Sequence, residues 1–314
     1  MGSMFELIII GGGPAGVAAA IYAARKKIKT AIITEEFGGQ STISDDIQNW
    51  IGQTNLSGFD LAKQLEAHLR VYQNDIEIVG GQRVEKVEKL GDRFRLAIAD
   101  GITYEAKKVL VTSGSHRKRL EVPGGKEFDG KGVAYCATCD APLYQDKDVA
   151  VVGGGNAGLE SVIDLEPYAS KIYLLHRRDE LKGDPVSQEK IKGMKKVEII
   201  YNADTQEIMG DKFVTGLRYR DNKTGEEKTL AVQGVFVEIG IVPNSDIVAD
   251  LVKLNSRGEI VVDHKTQLTS DPGIWAAGDV TDVLYNQNNI SAGDAIKAVL
   301  NIYDRITGQN REVK

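Results

Sequence analysis

With 314 residues, 42% of them hydrophobic and 27% charged, and with 34 glycines, the chain has the composition of a soluble globular protein long enough for two domains. A formal net charge of -6 and a pI near 5.4 argue against a nucleic-acid partner, because no basic stripe accumulates to displace counterions. Two cysteines without an export signal lead us to expect a reducing, cytoplasmic setting.

Residues 1–3, ahead of Met4, read as a cloning scar. Leu7 to Ala24 carries no charge and has the length of a membrane span or a signal peptide. Gly11, Gly12, Gly13 and Pro14 break it into a β-branched run and an alanine-rich run, and no basic region precedes it, so no membrane partner is expected. The pattern predicts a buried parallel strand over Glu6–Ile10, a helix over Pro14–Arg25 and a strand over Thr30–Thr34, together one βαβ unit. Between the first strand and the helix lies Gly11-x-Gly13-x-x-Gly16, with Pro14 and Ala15 inside it. In a dinucleotide loop the first glycine makes the turn, the second lets a pyrophosphate approach the backbone, and the third lets helix and strand pack closely. The helix N-terminus then offers free N–H groups and partial positive charge to the phosphates. Glu35 and Glu36 follow the second strand, roughly 20 residues past the glycines, where a carboxylate accepts hydrogen bonds from an adenosine ribose. That suits FAD or NAD.

Further along, Val109–Gly114 (VLVTSG) reads as a strand and small-residue turn passing close to a flavin. The stretches SHRKRLEVPGG and IGIVPNSD read as linkers between domains. Between them come Cys136 and Cys139, spaced CxxC and followed by Asp140. Zinc usually takes four ligands, and His68, His116, His176 and His264 show no paired ligand spacing, so no metal site is expected. A crosslink over three residues closes too small a loop to add much stability, which leaves redox chemistry. Asp140 is a candidate proton donor to a departing thiolate.

A second βαβ unit is predicted from a strand over Asp148–Val152, a helix over Asn156–Leu165 and a strand over Lys171–Leu175. Its turn carries Gly153-x-Gly155-x-x-Gly158, with Asn156 and Ala157 inside. Here the second strand is followed not by a carboxylate but by His176, Arg177 and Arg178, whose guanidinium groups suit a ribose 2′-phosphate and hence NADPH. Near the C-terminus, Gly273–Val280 (GIWAAGDV) places Gly278 and Asp279 at a strand end, where a carboxylate can receive a ribityl hydroxyl.

The stretches GGGPAG, FGGQ, CATCD, VAVVGGGNAGLE, HRRDEL, IGIVPN, AAGDV and YNQNNISAG, in that order, resemble the low-molecular-weight thioredoxin reductase family over essentially the whole chain. The resemblance implies an α/β fold with two Rossmann-like dinucleotide-binding domains, the second inserted in the first. Residues 4–118 and 246–314 would bind FAD, and residues 119–245 would bind NADPH and carry the redox pair. It also implies a homodimer and a domain rotation, since nicotinamide and disulfide need the same flavin face. By motif, Gly11, Gly13, Pro14, Ala15, Gly16, Glu35, Gln40, Asn49, Gly114, Gly278, Asp279, Gln287 and Asn288 would hold FAD. Gly153, Gly155, Asn156, Ala157, Gly158, His176, Arg177, Arg178 and Lys182 would hold NADPH. Cys139 would face the flavin and take up electrons, Cys136 would attack the protein substrate, and Asp140 would protonate.

Three positions depart from the family pattern. Lys182 stands where the nucleotide motif continues with arginine, Ala157 where a hydroxyl is common, and Asn286 where a basic residue is usual. The chain is also similar to the C-terminal part of the alkyl hydroperoxide reductase flavoprotein, whose extra N-terminal redox domain is not expected here. The leading expectation is electron flow from NADPH through FAD and the Cys136/Cys139 disulfide to thioredoxin or a thioredoxin-like protein. A second keeps the relay with NADH or a ferredoxin as donor, or another disulfide protein as acceptor. A third, a nucleotide-binding regulatory protein without turnover, fits poorly with an intact CxxC-Asp.

Overall fold

Four consecutive apolar side chains, Leu7, Ile8, Ile9 and Ile10, are all buried, and they divide between two cores by the alternation of a strand. Ile8 and Ile10 join one cluster with Val109, Val111, Ile274 and Ala276, while Leu7 and Ile9 join another with Leu110 and Trp275. A strand covered on both faces is the reason that no hydrophobic–polar alternation is visible in this stretch. Each such side chain contributes about 1.5–3 kcal/mol on burial.

The computed structural model describes residues 4–44, 47–99 and 101–309, so the expected scar at residues 1–3 lies outside them. The first pass of the chain forms β1 (Phe5–Gly12), α1 (Pro14–Arg25), β2 (Thr30–Phe37), α2 (Gly58–Arg70), β3 (Glu77–Gly80), β4 (Val84–Leu90), β5 (Arg93–Ile98), β6 (Thr103–Val111) and β7 (Ser115–Arg117). Then follow β8 (Val133–Ala134), α3 (Ala137–Asp140), β9 (Asp148–Val152), α4 (Asn156–Leu165), β10 (Lys171–His176), α5 (Pro185–Lys192), β11 (Val197–Tyr201), β12 (Ala203–Gly210), β13 (Val214–Asp221), β14 (Glu227–Leu230), β15 (Gly234–Val237) and β16 (Ile241–Pro243). The return pass adds β17 (Ile274–Ala276) and α6 (Asn288–Ile306).

Two units result, Met1–His116 with Val242–Lys314, and Arg117–Ile241. In the first, strands run in the order β3-β2-β1-β6-β5-β4, with β17 also paired to β6. The pairs among β3, β2, β1, β6 and β17 are parallel, and β4 and β5 extend the sheet antiparallel. In the second unit, β11-β10-β9-β15-β8 form an all-parallel sheet beside an antiparallel sheet of β12, β13 and β14. Its central strand again serves two cores, Val149 and Val151 on one face and Ala150 and Val152 on the other.

The expected boundaries were 118/119 and 245/246, and the crossings fall at 116/117 and 241/242. Asn244 explains the second shift. Its backbone N–H donates to the Gly114 carbonyl at 2.9 Å and its side-chain amide to the Ser113 carbonyl at 2.8 Å, which ties it to the first unit. Lys118 explains the first, its N–H donating to Gly240 at 2.9 Å within the second unit.

Candidate functional site

The two glycine loops repeat one geometry. Gly11 and Gly153 have φ of 110° and 133°, in the region that favours glycine. A Cβ on Gly16 would stand 1.8 Å from the Gly11 carbonyl oxygen, and one on Gly158 would stand 1.8 Å from that of Gly153. First and third glycines are therefore demanded by the chain itself. The second glycines are not. Gly13 and Gly155 have ordinary φ of -72° and -92°. A Cβ on Gly155 would meet no atom within 4 Å, and one on Gly13 only the Gly39 Cα at 3.9 Å. Glycine at these two positions leaves room for something outside the chain, and each lies at the N-cap of a helix whose first N–H groups are free for an anion. This is the fit that a bound dinucleotide requires.

Around the first loop the fold gathers residues far apart in sequence. Gly278 approaches Ala15, since a Cβ on it would lie 3.4 Å from that of Ala15. Ser291 on α6 donates to Asp279 at 3.2 Å, Ser41 to Asn288 at 3.0 Å, Asn49 to Gln287 at 3.1 Å and Gln40 to Ser115 at 3.1 Å. Pro14 opens α1 at its first position, where its missing N–H costs nothing. Glu35 is exposed, 3.7 Å from Arg83, and Gly114 has a φ of 65°. The motif residues Gly11, Gly13, Ala15, Gly16, Gly278 and Asp279 thus surround one loop. Ser41, Ser115 and Ser291 join them and were not among the expected residues. Ser41 follows Gln40, Ser115 follows Gly114 and Ser291 lies in the stretch YNQNNISAG, so each had an expected residue or motif beside it.

The second loop is laced to the segment that follows β10. The Gly154 N–H donates to Nδ1 of buried His176 at 3.1 Å, the Lys182 N–H donates to the Gly154 carbonyl at 2.7 Å, and the Asp184 N–H donates to Oδ1 of Asn156 at 2.7 Å. The carbonyls of Arg177 and Arg178 accept from the Asn222 side chain at 3.3 Å and the Asn202 N–H at 2.9 Å. Both arginine side chains are exposed, and among the described residues neither has a side-chain hydrogen bond or ion pair. Their backbone is held while their charge is left for a ligand. Lys182 instead pairs with Glu180 at 2.7 Å, and Ala157 is exposed in the first turn of α4. Burial and the charges of Arg178, Arg177 and Lys182 hold His176 below its ordinary pKa, against the Glu180 backbone carbonyl, which raises it.

Cys136 and Cys139 form a disulfide with Cα atoms 5.3 Å apart, in the same unit as this second loop. Cys136 is the N-cap of α3, and both cysteines and Asp140 are half-buried. Tyr144 lies next along the chain, buried against Phe236 at 4.9 Å between ring centroids. Its hydroxyl is pushed up to about 12, by burial first and by the charge of Asp140 second. Among the described residues no group of three or more His, Cys, Asp or Glu side chains could hold a metal ion, and no helix is long and apolar enough to cross a membrane.

Comparisons with known proteins bear on this pairing of loops and disulfide. A family model described as pyridine nucleotide-disulphide oxidoreductase matches residues 5–298. The chain is 45% identical over 300 residues to a protein named NADH dehydrogenase from Bacillus subtilis (strain 168), covering 96% of this chain and 58% of that one. It is 41% identical over 302 residues to an alkyl hydroperoxide reductase component of Staphylococcus aureus (strain MRSA252), covering 96% and 59%. It therefore spans a little under three fifths of the length of these relatives. Among solved structures it resembles thioredoxin reductase from Streptococcus pyogenes MGAS5005, with a TM-score of 0.86 at 35% identity, covering 98% of this chain and 100% of that one. Thioredoxin reductase from Giardia duodenalis matches with a TM-score of 0.88 at 30% identity, with the same coverage.

Proposed function

The chain belongs to the pyridine nucleotide-disulphide oxidoreductase family, and we propose that within it the protein draws electrons from NADPH, through FAD, into the Cys136–Cys139 disulfide and on to a thioredoxin-like protein. Its class is that of a flavin-dependent oxidoreductase using a pyridine nucleotide, with a fold like that of thioredoxin reductases. The finer reading rests on one observation. Two loops each keep an otherwise unneeded glycine, and beside the loop that shares a unit with the disulfide the segment after β10 presents two unpaired arginines.

In this reading the loop of Gly11, Gly13 and Gly16, with Gly278, Asp279 and the residues around them, holds the flavin. The loop of Gly153, Gly155 and Gly158 holds the nicotinamide nucleotide, and Arg177 and Arg178 grip its 2′-phosphate bidentately. The flavin supplies the step from a two-electron hydride donor to a disulfide. Reduction breaks the Cys136–Cys139 bond, and two electrons and two protons give two thiols. Cys136 then gives its proton to Asp140 and attacks the acceptor's disulfide as a thiolate, displacing one acceptor sulfur that takes that proton from Asp140. Cys139 attacks Cys136 in turn, its proton passing to the second acceptor sulfur, which is released as the original bond is restored. A homodimer in the cytoplasm completes the reading.

Replacing Cys136 by serine tests it. Reduction of thioredoxin should cease while NADPH still bleaches the bound flavin, and retained thioredoxin turnover refutes the assignment.

A second reading takes NADH as donor. Lys182 is occupied by Glu180 and offers no fork to a phosphate, and a relative at 45% identity is named an NADH dehydrogenase. Stopped-flow bleaching by each nucleotide separates the two, faster bleaching by NADH favouring the second.

A further inference from the structure

Thr138 stands between the two cysteines, and its hydroxyl donates to Oδ2 of Asp164 at 2.7 Å. Asp164 lies in the last turn of α4, the helix that begins with Asn156 at the second glycine loop. The turn that carries the cysteines is short, and its Ala137 is buried in the cluster that includes Leu159 and Val162 of α4. α3 has four residues, and Cys136 caps it with no side-chain hydrogen bond. Within it the N–H groups of Cys139 and Asp140 both share the Cys136 carbonyl, at 3.3 and 3.0 Å. One helical turn is not stable on its own. A hydroxyl donating to a carboxylate makes a charge-assisted bond, and threonine's branched Cβ stiffens χ1, so the tie constrains the backbone beside both sulfurs.

We propose that Asp164 is a positioning residue for the redox pair, holding the turn through Thr138 in the shape that keeps the sulfurs bonded and so favouring disulfide over dithiol. The inference rests on the reading of Cys136 and Cys139 as redox partners. On reduction the S–S bond takes up two electrons and two protons, and the two thiols must stand farther apart than bonded sulfurs. The turn opens to allow this, and the Thr138–Asp164 bond opposes the opening. Removing the bond therefore makes the pair easier to reduce.

The test equilibrates the flavin-loaded protein with mixtures of oxidised and reduced dithiothreitol, quenches it with an alkylating reagent under denaturing conditions, and reads the fraction reduced from intact mass. Cys136 and Cys139 are the only two cysteines of the chain, so the mass reports on them alone. Thr138→Val and Asp164→Ala should each shift the disulfide-to-dithiol equilibrium constant toward dithiol by roughly three- to tenfold, tenfold being about 30 mV for a two-electron couple. The double variant should shift it no further. Thr138→Ser and Asp164→Asn, which keep the hydroxyl and an acceptor oxygen, should restore it. An unmoved constant in both single variants overturns the proposal, as do fully additive effects in the double. A merely structural contact would lower the melting temperature of both redox forms alike and leave the constant where it was. Failure of the underlying reading is read separately: a wild-type pair that stays oxidised when NADPH or NADH has reduced the flavin refutes the relay, and the comparison in thiol buffer still decides the role of Asp164.

Discussion

The backbone N–H of Gly154 donates to Nδ1 of His176, 3.1 Å away and buried. To accept, Nδ1 must be unprotonated, so the imidazole is neutral with its hydrogen on Nε2. Its folded pKa lies below the ordinary 6.5, chiefly through burial. The folded state then binds fewer protons than the unfolded one. The stabilisation is complete above the ordinary value and is lost as pH falls through the depressed folded value. Hydrogen exchange of a peptide covering residues 153–158, corrected for intrinsic pH dependence, should show constant protection above pH 7 and falling protection in the acid range. In His176→Gln the protection should be lower and independent of pH.

Arg177 and Arg178 have fixed backbones and uncommitted side chains, so their substitution should alter ligand affinity rather than folding. A charge-assisted hydrogen bond contributes about 1.5–3 kcal/mol, or roughly ten- to a hundredfold in binding. Arg177→Ala and Arg178→Ala should raise KM for NADPH by about that factor and leave KM for NADH and the melting temperature within twofold and about 1 °C. Equal losses with both nucleotides in steady-state assays would show that neither arginine meets the 2′-phosphate.

Elements whose signal is local were legible in the sequence alone. The strand Asp148–Val152 and the helices Pro14–Arg25 and Asn156–Leu165 coincide with their expected bounds, because a glycine loop marks one end of each. β2 runs to Phe37 rather than stopping at Thr34, since polar Glu35 and Glu36 at the exposed end of a buried strand look like the start of a loop. Contacts made only by tertiary folding left no trace. Ser41 and Asn288 meet across 247 positions, and Asp164 reaches Thr138 from a different element. Asn156 was expected to hold the nucleotide, and its side-chain oxygen accepts from the Asp184 N–H. That bond braces the arginine segment, a role invisible in the run GGGN.

Gly16→Ala sets a methyl group against the Gly11 carbonyl oxygen, where a Cβ would lie 1.8 Å away, with Thr112 Oγ1 at 2.9 Å on another side. Backbone cannot yield there without parting α1 from β1, because Thr112 is itself bonded to the Ile10 carbonyl at 2.7 Å. The purified variant should be colourless or lose its flavin on gel filtration, and it should melt several degrees lower. Gly13→Ala is the informative contrast. With an ordinary φ and no close protein neighbour, it should keep the wild-type melting temperature in the flavin-free state and still bind FAD at least tenfold more weakly by fluorescence titration.

Glu238 follows β15 directly, and its carboxylate is buried against Ser161 of α4, which donates at 2.9 Å, and Arg117, which donates at 3.4 Å. Burial raises its pKa above the ordinary 4.5, more than Arg117 and Ser161 lower it, and the charge of Glu160 adds to the rise. A carboxyl whose folded pKa is raised is protonated more readily in the folded state than in the unfolded one. Its contribution to stability is therefore greatest below the ordinary value, falls as pH climbs through the folded pKa, and stays low at neutral pH. Glu238→Gln removes the buried charge, keeps one oxygen to accept from Arg117, and turns an NH2 toward Ser161, whose hydroxyl can rotate to accept. Its melting temperature should exceed that of the wild type by about 2 °C or more at pH 8, and the gap should close as pH drops below 4.5. Melting curves from pH 4 to pH 8 measure this directly. A wild type that melts higher at pH 8 would mean that attraction to Arg117 outweighs the loss of hydration.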